Sequence, residues 1–367
     1  MLWGYLNSIV YSSWFEGPAS GIWSCRAKTP HSGQKSLKFK LFVQAHPYQF
    51  MRVYRGTVAS ADGPLALTIG NFDGVHRGHQ AMLARLTAAA RRMAVPSALM
   101  LFEPQPQEIF APDQAPARLT SLREKLELLA QLGVDRCYVC RFDFRLAQMA
   151  PETFVQEMLQ KRLHARWLLV GDDFRFGARR SGDFDLLRRL AKNHGFEVEA
   201  MSSVIHQQLR VSSTAVRACL ANGDLEGAHG LLGRRYTISG RVVAGDSLGS
   251  KLGYPTANVQ LRRSRAPLSG IFVVEVGGLG PLPLPGVASL GVRPTVKERG
   301  QPMLEVHLFD FDKRIYGRRI AVRFLEKLRD EEKYVDVDTL VAQIARDVDA
   351  ARGFFQRRDV LVASKSV

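Results

Sequence analysis

Between residues 65 and 230, short apolar runs alternate with longer segments whose apolar residues recur every three or four positions. The runs "LALTIG", "SALMLF", "RCYVCRF", "ARWLLVG" and "EVEAMSSV" read as strands. After the first of them, "HQAMLARLTAAARRM" sets Met82, Leu83, Leu86, Ala90 and Met93 at helical spacing. "SLREKLELLAQLG" opens with Ser121 and Glu124 in capping-box spacing and closes at Gly133. "PETFVQEMLQKRL" carries Pro151 in its first turn, and "LLRRLAKNHG" and "TAVRACLANG" end on glycine. Strand and helix in alternation predict a Rossmann-like α/β layer, a mostly parallel sheet with helices on both faces.

After about residue 235 the pattern changes. "YTISGRVVAG", "YPTANVQL", "GIFVVEVG", "PLPGVASLG", "MLEVHLFDF" and "RRIAVRFLEKLR" are short strands between Gly/Pro turns, which predicts a small antiparallel β-barrel. Residues 336–357 place Val337, Leu340, Val341, Ile344, Val348 and Ala351 on one face of a C-terminal helix. The division falls at "LGRRY", giving domains over 51–232 and 236–357. Residues 1–50 stand apart: Trp3, Trp14 and Trp23 lie among Ser, Gly and Lys without periodicity, with no basic and apolar run of a signal peptide. The fold is expected to begin at "MRVYRG", with Met51 as the true start and the extension disordered or outside the mature protein.

Composition narrows the class. A hydrophobic fraction of 46% and a charged fraction of 23% over 367 residues are those of a soluble protein with an ordinary core. The net charge of +16 reads either as a solvated basic surface or as the mark of an anionic partner, nucleic acid, a membrane surface or phosphorylated small molecules. No basic stripe interleaved with aromatics appears, so phosphorylated small molecules are favoured over nucleic acid. The longest uncharged apolar run, 276–292, is broken by three prolines, and no membrane segment is expected. Four cysteines are too few for a disulfide scaffold and point to a reducing, cytoplasmic compartment. Cys137 and Cys140 sit at i and i+3 of a strand, on opposite faces, where they cannot share a metal.

The candidate chemistry begins in "LTIGNFDGVHRGHQAML", residues 67–83. His76 and His79 flank Gly78 where a strand hands over to a helix. In a doubly wound sheet ligands bind beyond the carboxyl ends of strands, and a helix N-terminus favours phosphate. Two imidazoles there can donate hydrogen bonds to phosphate oxygens as charge builds in a transition state.

At these residues the chain resembles the bacterial bifunctional riboflavin kinase/FAD synthetases, from about 51 to 357. "GNFDGVHRGH" is similar to their nucleotidyltransferase signature. The resemblance implies that Gly70, Asn71, Phe72, Asp73 and Gly78 form the ATP-binding turn and that His76 and His79 act at the α-phosphate. "VGDDFRFGARRSGD" resembles the second signature, implying a flavin-side role for Asp173, Phe174 and Arg180. "VSSTAVR" resembles the third, with Ser212, Ser213, Thr214 and Arg217 at the ATP phosphates. "LFEPQP" departs from the family's usual F-D-P-H-P at Glu103 and Gln105, and no role is carried onto either. The reaction implied is adenylylation of FMN by ATP, giving FAD and pyrophosphate.

In the barrel, "GDSLGSKLGYPTANVQL" resembles the riboflavin kinase signature, with Ser250 where the family often has Arg. Thr256 and Asn258 would hold Mg²⁺ with ATP. In "LEVHLFDF", Glu305 would be the base that takes the proton from the ribityl hydroxyl of riboflavin. Arg329, with Phe311 and Tyr316, would lie near the flavin, and Gly291, Arg293 and Pro294 would shape a loop beside it. The implied partners are riboflavin, FMN and ATP, with a homo-oligomer left open. The same histidine turn occurs in other adenylyl and cytidylyl transferases and in class I aminoacyl-tRNA synthetases; those need other companion domains than a barrel carrying Thr256, Asn258 and Glu305.

Overall fold

A computed structural model of the chain describes residues 36–38, 51–56, 60–245, 249, 252–292 and 302–364. Its first half is built on β1 (Ser36–Lys38), β2 (Arg52–Gly56), β3 (Leu65–Ile69), β4 (Ser97–Glu103), β5 (Arg136–Arg141), β6 (Ala165–Gly171) and β7 (Glu197–Met201). They form one sheet in the order β1-β2-β5-β4-β3-β6-β7. All neighbours are parallel except β1, which runs antiparallel to β2. From β3 the chain moves to β4 on one side and later returns to β6 on the other. The topological switch point, where such sheets bind ligands, therefore lies between the carboxyl ends of β3 and β6.

The helices divide between the two faces as their apolar stripes require. Leu83, Leu86, Ala89 and Ala90 of α1 (Arg77–Arg92) share one buried layer with residues further along the chain. The chain continues through α2 (Pro106–Phe110) to α3 (Leu122–Gln131), whose Leu126 and Leu129 complete the layer. On the opposite face, beyond the one-turn α4 (Phe144–Ala147), α5 (Pro151–Thr153) continues as a more loosely wound helix over Phe154–Arg162 and packs with α6 (Phe184–His194). Cys137 belongs to the first layer and Cys140 to the second, the alternation expected of a strand.

A short hairpin of β8 (Ile205–His206) and β9 (Leu209–Arg210) leads into α7 (Ser213–Ala221) and α8 (Leu225–Leu232). The second half closes a barrel in the order β10-β11-β14-β13-β12-β15. Its strands are β10 (Thr237–Val243), β11 (Ala257–Gln260), β12 (Gly270–Gly277), β13 (Leu284–Val292), β14 (Pro302–Leu308) and β15 (Arg319–Arg329). Leu304, Val306, Ile320, Val322 and Phe324 point inward, whereas Val273, Val287 and Leu325 lie under Val348, Ala351 and Phe355 of α9 (Val337–Ser364).

The two halves share buried structure. One apolar cluster runs from Leu119 through Val216, Leu220, Leu231 and Leu232 of α7 and α8 into the barrel interior. Polar contacts reinforce it. The Glu124 carboxylate closes the capping box of α3 by accepting from the Ser121 amide at 2.6 Å. It also accepts from the Ser239 amide at 2.6 Å and from Arg263 at 2.7 Å, both in the barrel half. Among the described residues no helix is long and apolar enough to cross a membrane.

Candidate active sites

At the end of β3 the chain turns through Asn71–Val75 with positive φ at Phe72 (47°), Gly74 (80°) and Val75 (43°). For side chains other than glycine such a conformation costs about 1–3 kcal/mol and persists only where neighbours impose it. The neighbours can be named. Buried Lys125 donates to the Asn71 carbonyl at 2.6 Å. The Asp73 carboxylate, 2% exposed, accepts from the amides of Leu119 and Thr120 at 3.0 Å each, the Thr120 hydroxyl at 3.1 Å and Arg217 at 2.5 Å. Ser213 donates to the Asp73 carbonyl at 2.9 Å. From the linker, Arg234 donates to the carbonyls of Gly74 at 2.5 Å and Val75 at 3.0 Å. Gln80 of α1 holds the Val75 carbonyl at 2.9 Å and that of Leu232 at 2.7 Å.

This turn delivers His76 as the N-cap of α1. Its Nδ1 accepts from the His79 amide at 3.3 Å, which assigns the ring proton of the neutral imidazole to Nε2. The two imidazoles stack, with centroids 3.6 Å apart and planes 17° from parallel, and His79 leans on Phe72. Burial pushes the His76 pKa down to about 4, against the pull of Asp73. Burial and then the neighbouring His76 hold His79 well below the usual histidine range. Both rings are therefore neutral at pH 7 rather than fixed cations.

The histidines face a cleft of about 200 Å³ bounded by Gly171, Asp172 and Asp173 after β6 and by the segment from Arg210 to Ser212. Asp173 accepts from Arg210 at 2.7 Å. Ser212 caps α7 by accepting from the Ala215 amide at 3.1 Å, and Thr214 is exposed on the first turn of that helix. Gly78 keeps the cleft open: a Cβ there would stand 3.2 Å from the His76 ring. The structure thus gathers His76, Gly78, His79, Asp173 and Ser212 at the cleft. Phe72, Asp73, Ser213 and Arg217 instead build the turn behind it, with Gly70 packed on the Phe72 ring and Asn71 exposed beside them.

Phe174 and Arg180 line a second, larger cavity of about 900 Å³ that also begins at Ile69, the last residue of β3. Its walls are Phe102, Phe110, Phe142, Phe144, Phe174 and Phe176, with Arg175, Arg179 and Arg180 at one side. Phe110 and Phe142 meet edge to face at 5.7 Å, and Phe174 stacks on Phe176 at 5.7 Å. Phe110 and Phe144 are 60% and 64% exposed, an apolar surface that suits a planar ligand. Sequence reasoning missed both, because α2 and α4 are too short to show a period. The signal available was the recurrence of Phe at 142 and 144 in "RFDF".

In the barrel, Asn258 on β11 lies directly opposite Glu305 on β14, and Ser289 on β13 flanks Glu305 from the other side. Thr256 immediately precedes β11. Thr256, Asn258 and Glu305 are half-buried on the outer face, while Ala257, Val259, Leu304 and Val306 point inward. Gly245 and Gly249 lie against this group. A Cβ on the first would overlap the Asn258 amide, and one on the second would stand 3.2 Å from the Thr256 hydroxyl. His307 Nδ1 lies 2.9 Å from the Pro255 carbonyl. Arg329 makes a two-pronged pair with Asp347 of α9 at 2.9 and 2.7 Å, so its guanidinium anchors the helix to β15. Ser250, Arg293 and Pro294 lie outside the described residues.

Comparison with known proteins agrees with this layout. Residues 58–215 match the family described as FAD synthetase, and residues 232–355 match riboflavin kinase. The bifunctional riboflavin kinase/FMN adenylyltransferase of Escherichia coli (strain K12) is 50% identical over 308 residues, covering 83% of this chain and 98% of the relative. Those of Pseudomonas fluorescens and Haemophilus influenzae are 48% and 45% identical, covering 82% and 79% of this chain and 93% and 94% of theirs. A crystal structure described as a macrolide-efflux protein from Streptococcus pneumoniae has the same fold, with a TM-score of 0.68 at 28% identity over 80% of this chain and 95% of that one. With matches spanning both halves and nearly the whole length of its relatives, the chain belongs to the bifunctional riboflavin kinase/FMN adenylyltransferase family.

Proposed function

We propose that the chain carries out its two reactions at separate sites, FMN adenylylation in a unit spanning 51–232 and riboflavin phosphorylation in one spanning 236–357. In the first, FMN lies with its ring among Phe110, Phe144 and Phe174 and its phosphate toward the histidine cleft. A phosphate oxygen of FMN attacks the α-phosphorus of ATP, the bond to the β-phosphate bridging oxygen breaks, and pyrophosphate leaves as FAD forms. His76 and His79 donate to the oxygens on which charge accumulates. Such a fixed donor is worth about 3–4 kcal/mol, or 10²–10³ in rate. Ser212 and Thr214 at the start of α7 serve the ATP phosphates, and Asp173 holds Arg210 beside them. Arg180 offers a cation to the FMN phosphate. Arg217 acts through Asp73 on the shape of the turn.

In the second unit Glu305 takes the proton from the ribityl 5′-hydroxyl, whose oxygen then attacks the γ-phosphorus of ATP, and ADP leaves. Thr256 and Asn258 present neutral oxygens next to this carboxylate, under glycines that a larger residue would push away. That donor set fits Mg²⁺, which prefers oxygen ligands shared with substrate phosphates and would supply charge neutralisation there. Arg329 fixes the helix beside the flavin. The thiols of Cys137 and Cys140 are unpaired and buried, which suits a reducing, cytoplasmic setting.

Support comes chiefly from the stacked, neutral His76–His79 pair at the switch point of the sheet, opening on a cleft beside an aromatic cavity. The test is separation of the two activities. Glu305→Gln should stop FMN formation from riboflavin and leave FAD formation from FMN near normal. The double change His76→Ala, His79→Ala should do the reverse, lowering kcat more than it raises KM for ATP. Wild-type FMN formation by Glu305→Gln, or unchanged FAD kcat in the double variant, would overturn the assignment.

A further inference from the structure

A third cleft, of about 350 Å³, opens where the two halves meet, and its wall is dominated by guanidinium groups. The α/β half supplies Arg55, Arg118 and Arg123, and the barrel half supplies Arg241, Arg262, Arg263 and Arg319. Three of these are neutralised: Arg118 by Glu103 and Glu108, Arg123 by Glu127, and Arg263 by Glu124. The other four, Arg55, Arg241, Arg262 and Arg319, form no ion pair with a carboxylate among the described residues. Arg319 is the most exacting case. It is half-buried, and its Nη2 is sealed from solvent with no hydrogen-bond partner. The Nε of buried Arg263 is in the same condition. An unsatisfied donor on a charged group is costly to a fold, and although these two nitrogens are sealed, the guanidinium groups that carry them belong to a concave cationic wall of the kind that an anion of several oxygens matches. Burial, with Arg123 and Arg262 close by, also lowers the pKa of Arg319, against the opposing pull of Glu127 and Glu124.

We propose that this inter-domain cleft binds a polyphosphate, either inorganic or the phosphate chain of a nucleotide, at a site distinct from both reaction centres. It shares no lining residue with the histidine cleft, and Thr256, Asn258 and Glu305 lie outside its wall. The charge supports a compact polyanion, because four guanidinium groups without a carboxylate partner line the wall, against one carboxylate, Glu103, which is already engaged by Arg118, and the space is at the small end of ligand pockets, about 300–1,000 Å³. No aromatic side chain lines it, so a flavin ring has nothing to stack on. Because the cations come from both halves, the bound anion bridges them and holds their relative position.

Titration calorimetry of the full chain with inorganic pyrophosphate, without Mg²⁺ and at low salt, tests the site. Wild type should bind pyrophosphate, and the variant His76→Ala, His79→Ala should keep a site of the same affinity. The variant Arg262→Gln, Arg319→Gln should weaken that site at least tenfold, since charge-assisted hydrogen bonds are lost. Arg241→Gln changes an exposed side chain, giving up a solvent-exposed hydrogen bond to the Gly317 carbonyl, and it should weaken the same site several-fold. Displacement of pyrophosphate by ADP more readily than by tripolyphosphate would identify a nucleotide occupant, and the reverse order an inorganic one. The proposal is overturned if wild type binds no pyrophosphate at millimolar concentration. It is also overturned if Arg241→Gln and Arg262→Gln, Arg319→Gln bind it as wild type does.

Discussion

Replacing Arg234 with methionine should remove FAD formation while largely sparing the fold. Arg234 lies outside both reaction centres, in the segment joining α8 to β10, yet it donates to the carbonyls of Gly74 and Val75 at 2.5 and 3.0 Å. Burial is deep enough to push its pKa down to about 10. Two charge-assisted bonds are worth roughly 3–6 kcal/mol gross, but methionine also escapes the desolvation of a guanidinium, leaving about 1–3 kcal/mol of net destabilisation. The loss is uneven. The Val75 carbonyl keeps Gln80 as a donor at 2.9 Å, whereas the Gly74 carbonyl loses the donor that held it. The turn then has an outlet for the strain of Val75 at φ 43°, which stores about 1–3 kcal/mol. Relaxation moves the next residue, His76. A displacement of about 1 Å at a catalytic group costs on the order of 10²-fold in rate. We therefore expect kcat for FAD formation to fall about 10–100-fold, FMN formation to stay within about twofold, and the melting temperature to drop by a few degrees. Arg234→Lys, which can reach one carbonyl but not both, should recover part of the rate. Steady-state assays of both half-reactions beside thermal melts decide the matter. A lowered melting temperature with wild-type FAD kcat would show that Arg234 only adds stability.

Three further outcomes follow from the geometry. The His76 pKa is near 4 in the folded protein and about 6.5 when unfolded, so the unfolded chain takes up the proton first; stability should be flat above about pH 6.5 and decline by up to about 3 kcal/mol as pH falls towards 4. Urea midpoints from pH 8 to 4 measure this, and His76→Asn, which can still cap the helix, should flatten the decline; an identical slope in that variant would remove His76 as its source. Phe110→Ser with Phe144→Ser should raise KM for FMN in adenylylation about tenfold or more and leave KM for riboflavin in the kinase reaction unchanged, and an unaltered KM for FMN would empty the aromatic cavity of its assigned ligand. A chain truncated to begin at Met51 should retain both activities, and loss of either would give residues 1–50 a role in the fold.

What the sequence disclosed and what it withheld have physical reasons. The capping box of Ser121 and Glu124 is local, and it forms as its spacing dictates. The opposite faces of Cys137 and Cys140 follow from the pleat of a strand. The histidine turn was legible because a strand that hands over to a helix through a tight turn requires a particular order of small and polar residues. The partner of Arg217 was not. A basic residue one turn into a helix reads as a phosphate ligand, and only tertiary structure reveals Asp73, 144 positions away, already holding it. Arg329 hides its ion pair with Asp347 for the same reason. The aromatic cavity is assembled from one-turn helices and loops far apart in the chain, so no window of sequence contains it.

The apolar cluster that runs from Leu119 and α7–α8 into the barrel has a thermodynamic consequence for an enzyme with two active sites. Neither half can expose its interior without opening part of the other's, so heat should melt them together in one cooperative transition. Free energy contributed by a ligand in one half is then felt in both. A nucleotide present at a hundred times its dissociation constant adds about 2.7 kcal/mol to the state that binds it. Here that state is the whole chain, so occupancy of the kinase barrel protects the adenylylating half from unfolding, and a substrate bound in the adenylylating half protects the barrel.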